Sequence, residues 1–255
     1  IPFEEDFYEK VNLYQKIKQM NLSGAVIVPL DTSYCKKALE ILEKNKFPYV
    51  RLGNACFTGQ LNAALVRGDD TQVAYSALRQ LWKSGHRRIG LISTYEGNEA
   101  ESAYRSFYAE RGGFLPRRMV SVEFSGQIED WKKLPGDQII RGYLEMNPDI
   151  TGLIVEPAVA CVNILEQLSI MGKNVPQNIS IISLREWEGL KILTPPISSF
   201  ELPNSNMAND AVDKLIQAMK NGLPDKEEII KEKFVFIERQ SVAPLTGKKP
   251  AVVGI

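Results

Sequence analysis

The side chains on which acid–base, thiol or metal chemistry depends are few in this sequence and far apart. One histidine, His86, stands between Gly85 and a pair of arginines. A histidine-rich metal centre is therefore excluded, and a serine-hydrolase triad would have to run through that single residue. Cys35, Cys56 and Cys161 show no CxxC spacing, which indicates neither a zinc site nor a disulfide framework and suits a reducing compartment. No P-loop, no G-x-G-x-x-G after a strand, no H-E-x-x-H and no G-x-S-x-G occurs. Carboxylates remain: Glu156 and Glu186 are in principle an acid/base pair, and Asp69 and Asp70 are placed to cap the helix that follows them. The sequence is read as a non-enzyme without metal or cofactor.

The elements that must position such groups follow from composition and period. The chain has 255 residues, 31 Lys+Arg against 31 Asp+Glu, a length that suits two lobes of roughly 100–130 residues each. Zero formal net charge removes the field on which non-specific nucleic-acid or anionic-membrane binding relies. No run of 18 apolar residues occurs, and the opening IPFEEDFYEK is acidic where a signal peptide is basic and then apolar. Short β-branched runs recur at 23–30, 47–53, 87–93, 119–124, 151–156 and 179–184, the pattern of strands buried on both faces of a parallel sheet. Amphipathic helical stretches lie between them at 33–45, 71–84, 157–171 and 206–220. In the first of these, Cys35, Ala38, Leu39 and Leu42 share one face. Alternation of strand and helix over the whole length predicts doubly wound α/β sheets, more than one at this size.

Gly85 follows a helix that ends at Lys83, where a glycine adopts the left-handed stop, and MGKNVPQN at 171–178 ends another helix in the same way, with Pro176 barring continuation. TPPISS at 194–199 carries two adjacent prolines that a central strand does not accept, so it reads as a connector and a crossing between lobes. The tail from Pro244 lacks periodicity and is expected to dock irregularly or stay mobile.

Four segments, in order, resemble the effector-binding domain of lactose-repressor/galactose-repressor (LacI/GalR) transcription factors, a type I periplasmic-binding-protein fold. They are SGAVIVP at 23–29, GHRRIGLIS at 85–93, LEQLSIMGKNVPQNISIIS at 165–183, and TPPISSFELPNSNMANDAVDKLI at 194–216 followed by FVFIERQSV at 234–242. The resemblance implies an α/β protein of two Rossmann-like lobes with parallel sheets and a ligand cleft between them. It places residues 1–93 in the N-terminal lobe, 94–195 in the C-terminal lobe, 196–225 back in the first, and 226–255 as the closing strand and tail of the second. A strand, helix and strand normally precede the SGAVIVP strand, on the order of 60 residues. Only 22 are present. The opening is accordingly expected to be a strand-to-helix piece with a stretch missing before Asn12, and Phe7, Tyr8 and Val11 to suit a first helix entering the cleft.

The family's sugar-gripping positions all depart here. Its arginine falls at Ala103, with Ser106-Phe107 at the following G-F pair; its Asn/Ser-Asp pair falls at Glu156-Pro157, and its aspartate at Arg185. Loss of the bidentate arginine and aspartate puts a usual pyranose site in doubt. Glu156, Arg185 and Glu186 are placed at strand ends, where open α/β sheets bind ligands. Arg185 either supplies the cation that Ala103 lacks or pairs with Glu156 across the cleft mouth. Trp187 suits stacking on a sugar face, and Asn54, Tyr95 and Phe7 are further candidates, with Glu96 and Asn98 in the same loop as Tyr95. His86 reads as structural.

The function the resemblance implies is effector sensing in a cytoplasmic bacterial transcriptional regulator. The ligand would be a small molecule of carbohydrate class. DNA would be held by a head of LacI or GntR type that this chain does not contain, and homodimerisation would run through the N-terminal lobe, with no membrane partner. The alternative of the same fold is an extracytoplasmic sugar-binding protein of a transporter, whose members usually lack GHRRI and the R-x-S closing strand. Dimerisation separates the two.

Overall fold

A computed structural model describes residues 12–28, 33–53, 61–93, 98–121 and 136–245. The described residues divide into two units, the first running to Asp69 and resuming over Pro203–Lys233, the second comprising Asp70–Leu202 and the chain from Phe234. The expected lobe boundary after residue 93 therefore moves to Asp70. The physical reason is that the helix at 70–83 and the strand at 89–93 pack with the second sheet. Likewise 196–202 stays in the second unit, and the strand over 229–232 joins the first. Asn54, Tyr95, Phe7 and the opening segment lie outside the described residues.

Unit 1 is built from α1 (Leu13–Gln19), β1 (Ala25–Ile27), α2 (Ser33–Lys44), β2 (Tyr49–Leu52), β3 (Leu65–Gly68), α7 (Asn204–Asn221) and β9 (Ile229–Glu232). Its strands pair in the order β1-β2-β3-β9, all parallel. The helical period of α2 buries Cys35, Ala38, Leu39 and Leu42 as expected, against Ile17, Ile27, Tyr49 and Leu61.

Unit 2 holds α3 (Asp70–Lys83), β4 (Ile89–Ser93), α4 (Glu99–Ala109), β5 (Met119–Ser121), α5 (Gly136–Met146), β6 (Gly152–Val155), α6 (Ala160–Ile170), β7 (Ser180–Ser183), β8 (Ser198–Glu201) and β10 (Val235–Ile237). The sheet order is β10-β8-β7-β6-β4-β5, with only β10 antiparallel among these described strands. Two-residue alternation splits the strand side chains between two cores. Ile154 and Ile182 face the α3 and α4 side chains Leu78, Leu81, Tyr104 and Phe107, while Leu153, Val155 and Ile181 face Ile140, Leu144, Ile164 and Leu168 of α5 and α6. Each fully buried leucine or isoleucine contributes about 1.5–3 kcal/mol relative to exposure, so both faces must be covered. TPPISS is a connector only through Ile197; β8 begins at Ser198, and the chain crosses between units after Leu202.

Two glycines are required by geometry. Gly85 takes φ +92° after α3, the predicted left-handed stop. In β4, a Cβ on Gly90 would fall 2.1 Å from the Tyr143 hydroxyl, which donates to Arg118 O at 2.7 Å.

Candidate functional site

Because β4, β5, β6 and β7 run parallel, their C-terminal ends share one edge of the unit 2 sheet, and Ser93, Ser121, Glu156 and Arg185 stand at or just beyond these ends. β6 buries all four of its residues, and Glu156 follows directly, its amide bonded to Ile92 O at 2.8 Å. β7 ends at Ser183, whose hydroxyl donates to Arg185 O at 2.7 Å and so fixes where the arginine leaves the strand. Arg185 Nη2 then reaches Asp70 Oδ1 at 2.6 Å and Glu156 Oε1 at 3.1 Å, and its guanidinium carbon lies 4.8 Å from the centre of the Phe234 ring. Of the two roles open to Arg185, pairing with Glu156 is realised inside unit 2. Asp70, anticipated as a cap at the start of α3, is drawn into the same cluster.

The electrostatics are those of one cation between two carboxylates. Burial pushes the Glu156 carboxyl above the usual carboxylate range; Arg185 pulls it down, and Asp70 adds to the rise. Arg185 Nη1 is buried with no hydrogen-bond partner, so part of its donor capacity is unspent by the fold. The cluster is part-exposed, with side-chain accessibilities of 33% for Arg185, 26% for Asp70 and 14% for Glu156. Such a group offers carboxylate acceptors to hydroxyl or ammonium donors and one guanidinium donor to an oxygen, while its surplus negative charge disfavours anions.

Glu186 is placed differently from the sequence reading. Its Oε1 accepts from Arg239 Nη2 at 2.8 Å and its Oε2 from Nη1 at 3.0 Å, and the Ser199 hydroxyl also donates to Oε2. Burial raises this carboxyl, but hydrogen bonds from Arg239 and Ser199 outweigh it and hold the group below the usual range. Both oxygens are thus committed to tying β7 to the closing segment, and an acid/base pair with Glu156 finds no support. Trp187 is 40% exposed, its ring lying against Gly189 so closely that a Cβ there would come within 2.1 Å. Ala103 is 1% exposed within the core, so the family's arginine position holds no charge.

Sequence reasoning missed a second polar group on the same edge. Ser93 ends β4, Ser121 ends β5, and both hydroxyls donate to Glu101 Oε1, at 3.2 and 2.7 Å. Asn98, read as a loop candidate for ligand contact, is the cap of α4, accepting the Glu101 amide at 2.8 Å, and its Nδ2 is buried without a partner. The signal was present: an asparagine with glutamate three residues on is capping spacing. His86 is structural as read. Nε2–H donates to Ala243 O and Nδ1 accepts from the Thr151 hydroxyl, both at 3.1 Å, in the neutral form that burial favours by lowering its pKa.

In unit 1 a cavity of about 290 Å³ lies between α7 and the N-terminal ends of β2, β3 and β9, opposite the strand edge that binds ligands in open α/β sheets. Lys214 at its rim is paired with Glu228 at 2.5 Å. Among the described residues no three His, Cys, Asp or Glu side chains gather as a metal site, and no helix is long and apolar enough to cross a membrane.

Residues 78–242 match the family described as periplasmic binding protein-like domain. A curated relative, the ribose operon repressor of Haemophilus influenzae, is 24% identical over 163 residues, covering 64% of this chain and 48% of the relative. The chain spans about half the length of the first curated relatives it matches. A LacI-family regulatory protein from Chloroflexus aggregans superposes with TM-score 0.76 at 20% identity, over 95% of this chain and 85% of that one. A LacI-family regulator from Enterococcus faecium, solved with bound ribose, does so with TM-score 0.69 at 18% identity, over 93% and 85%. The likeness to both solved structures is one of fold.

Proposed function

The chain belongs to the periplasmic binding protein-like domain family, in the form that LacI/GalR regulators carry as their effector-binding domain, and we propose that it senses a carbohydrate effector at the C-terminal edge of the unit 2 sheet. The observation that carries this reading is the Arg185–Glu156–Asp70 cluster, which is part-exposed, holds one buried unpartnered donor, and stands where strands of open α/β sheets present ligands. Glu156 and Asp70 accept sugar hydroxyls, Arg185 donates to a ring or hydroxyl oxygen, and Trp187 covers an apolar sugar face. The ribose in the Enterococcus faecium neighbour and the name of the Haemophilus influenzae relative support a sugar as the first class to test.

In this reading the effector shifts a regulator between states by binding one of them better. DNA is engaged by a head outside these residues, in the cytoplasm, and the assembly is a homodimer through the N-terminal lobe. No catalytic step is assigned, in keeping with the structural roles of His86 and Glu186. The test is isothermal titration of the purified chain with ribose, other neutral mono- and disaccharides, and their phosphorylated counterparts. Saturable binding of a neutral sugar that Glu156→Gln weakens at least about tenfold, the loss of one charged hydrogen bond, is the expected result. Binding confined to the phosphorylated compounds would overturn the assignment of this cluster.

A further inference from the structure

The chain passes between the two units after Asp69, after Leu202 and after Lys233. On the unit 1 side, the first and third crossings leave side by side. Gly68 is in register with Glu232, and the Asp69 amide donates to Glu232 O at 2.8 Å. On the unit 2 side, the residues that receive these two crossings are Asp70 and Phe234. Arg185 holds both, Asp70 through the 2.6 Å ion pair and Phe234 through the cation–π stack at 4.8 Å. It also holds Glu156.

We propose that Arg185 is a positioning residue that latches the first and third crossings to the ligand edge of unit 2, so that occupancy of the edge and the freedom of the crossings are coupled through one guanidinium. The coupling to ligand rests on the reading of Glu156 and Arg185 as the effector site; the latch itself does not. Three features make it a latch and not a general brace. The contacts reach sequence positions 70, 156 and 234, which no local turn would bring together. Each contact engages a different part of the side chain's chemistry: a close ion pair, a longer one, and a ring face. Finally, the Arg185 side chain is one-third exposed, so an oxygen-rich ligand can compete for it, unlike an arginine sealed in a core. A ligand that takes hydrogen bonds from Arg185 would weaken its hold on Asp70 and so change the first crossing directly.

Hydrogen exchange on the ligand-free full chain tests the latch. In Arg185→Met, amides at 69–74 and 234–237 are expected to exchange at least about threefold faster, because local opening there loses two of its restraints, while those at 89–93 and 152–155 keep the wild-type rate. In Asp70→Asn the first crossing alone speeds up, since the Phe234 stack is intact. Unchanged exchange at both crossings in a folded Arg185→Met, or a uniform rise across unit 2 in both variants, overturns the proposal. Should Arg185→Met fail to fold, Asp70→Asn decides: a crossing at 69–74 no faster than wild type overturns the latch. A sugar screen without hits leaves the exchange result standing, and a flat exchange profile leaves sugar binding standing, so the two readings fail separately.

Discussion

Arg51 in unit 1 and Arg185 in unit 2 each hold a glutamate, and their circumstances are opposite. Arg51 is 0% exposed, donates to Ala63 O at 3.1 Å and pairs with Glu227, itself 8% exposed. Arg185 is 33% exposed, shares its charge between Glu156 and Asp70, and keeps a buried nitrogen without a partner. A pair sealed in a core has already lost its water, and removing either partner strands a buried charge. A pair at a strand edge keeps water within reach, so its net worth to folding is small and its hydrogen-bonding capacity stays available. Of these two arginines, the one less deeply buried is the one better placed to meet a ligand.

The comparison breaks first on stability. Glu227→Gln is expected to cost about 3–5 kcal/mol in urea unfolding of unit 1, because a buried ion pair loses one of its two charges; a loss under about 1 kcal/mol would place this pair with exposed ones. Arg239→Ala comes next, at about 2–3 kcal/mol by the same measurement on unit 2, since Glu186 loses a two-point charged contact at 11% and 13% exposure. Smallest is Arg185→Met, expected within about 1 kcal/mol of wild type. A larger loss would make Arg185 a structural residue like Arg51.

The pH dependence sharpens the same contrast. Burial raises the Glu156 carboxyl in the folded state, so the folded chain binds this proton more tightly than the unfolded chain does. Its contribution is full below the ordinary carboxylate pKa and is lost as pH rises through the raised value. Denaturation from pH 4 upward should therefore show a decline in wild type, relative to Glu156→Gln, that levels off above the raised value. A difference between the two proteins that is flat over this range would mean that burial does not raise this carboxyl.

Much of the fold was legible because strands buried on both faces must be short and apolar. The runs ending at Ser93, Glu156 and Leu184 each contain an observed strand. β3 escaped because Arg67 interrupts its apolar run; burial of that arginine depends on its neighbours in space. α4 escaped as a helix because its buried Tyr104, Phe107 and Tyr108 sit among charged residues in a stretch read only for a motif. At the site, Glu156 and Arg185 were visible because strand-end position follows from the strands themselves. Asp70 was visible only as a cap, since its partner lies 115 residues away. The commitment of Glu186 to Arg239, 53 residues on, was likewise beyond any local pattern. Long-range ion pairing decides which charged residues are left for ligands, and it is fixed by the fold, not by spacing.

The most direct test of the central claim is the melting temperature of wild type and Arg185→Met with and without ribose and a panel of neutral sugars. A ligand at about 100 times its Kd stabilises the native state by about 2.7 kcal/mol. The account predicts that at least one sugar raises the wild-type melting temperature, and that Arg185→Met melts close to wild type without sugar but no longer responds. A sugar-induced rise that survives intact in Arg185→Met would contradict it.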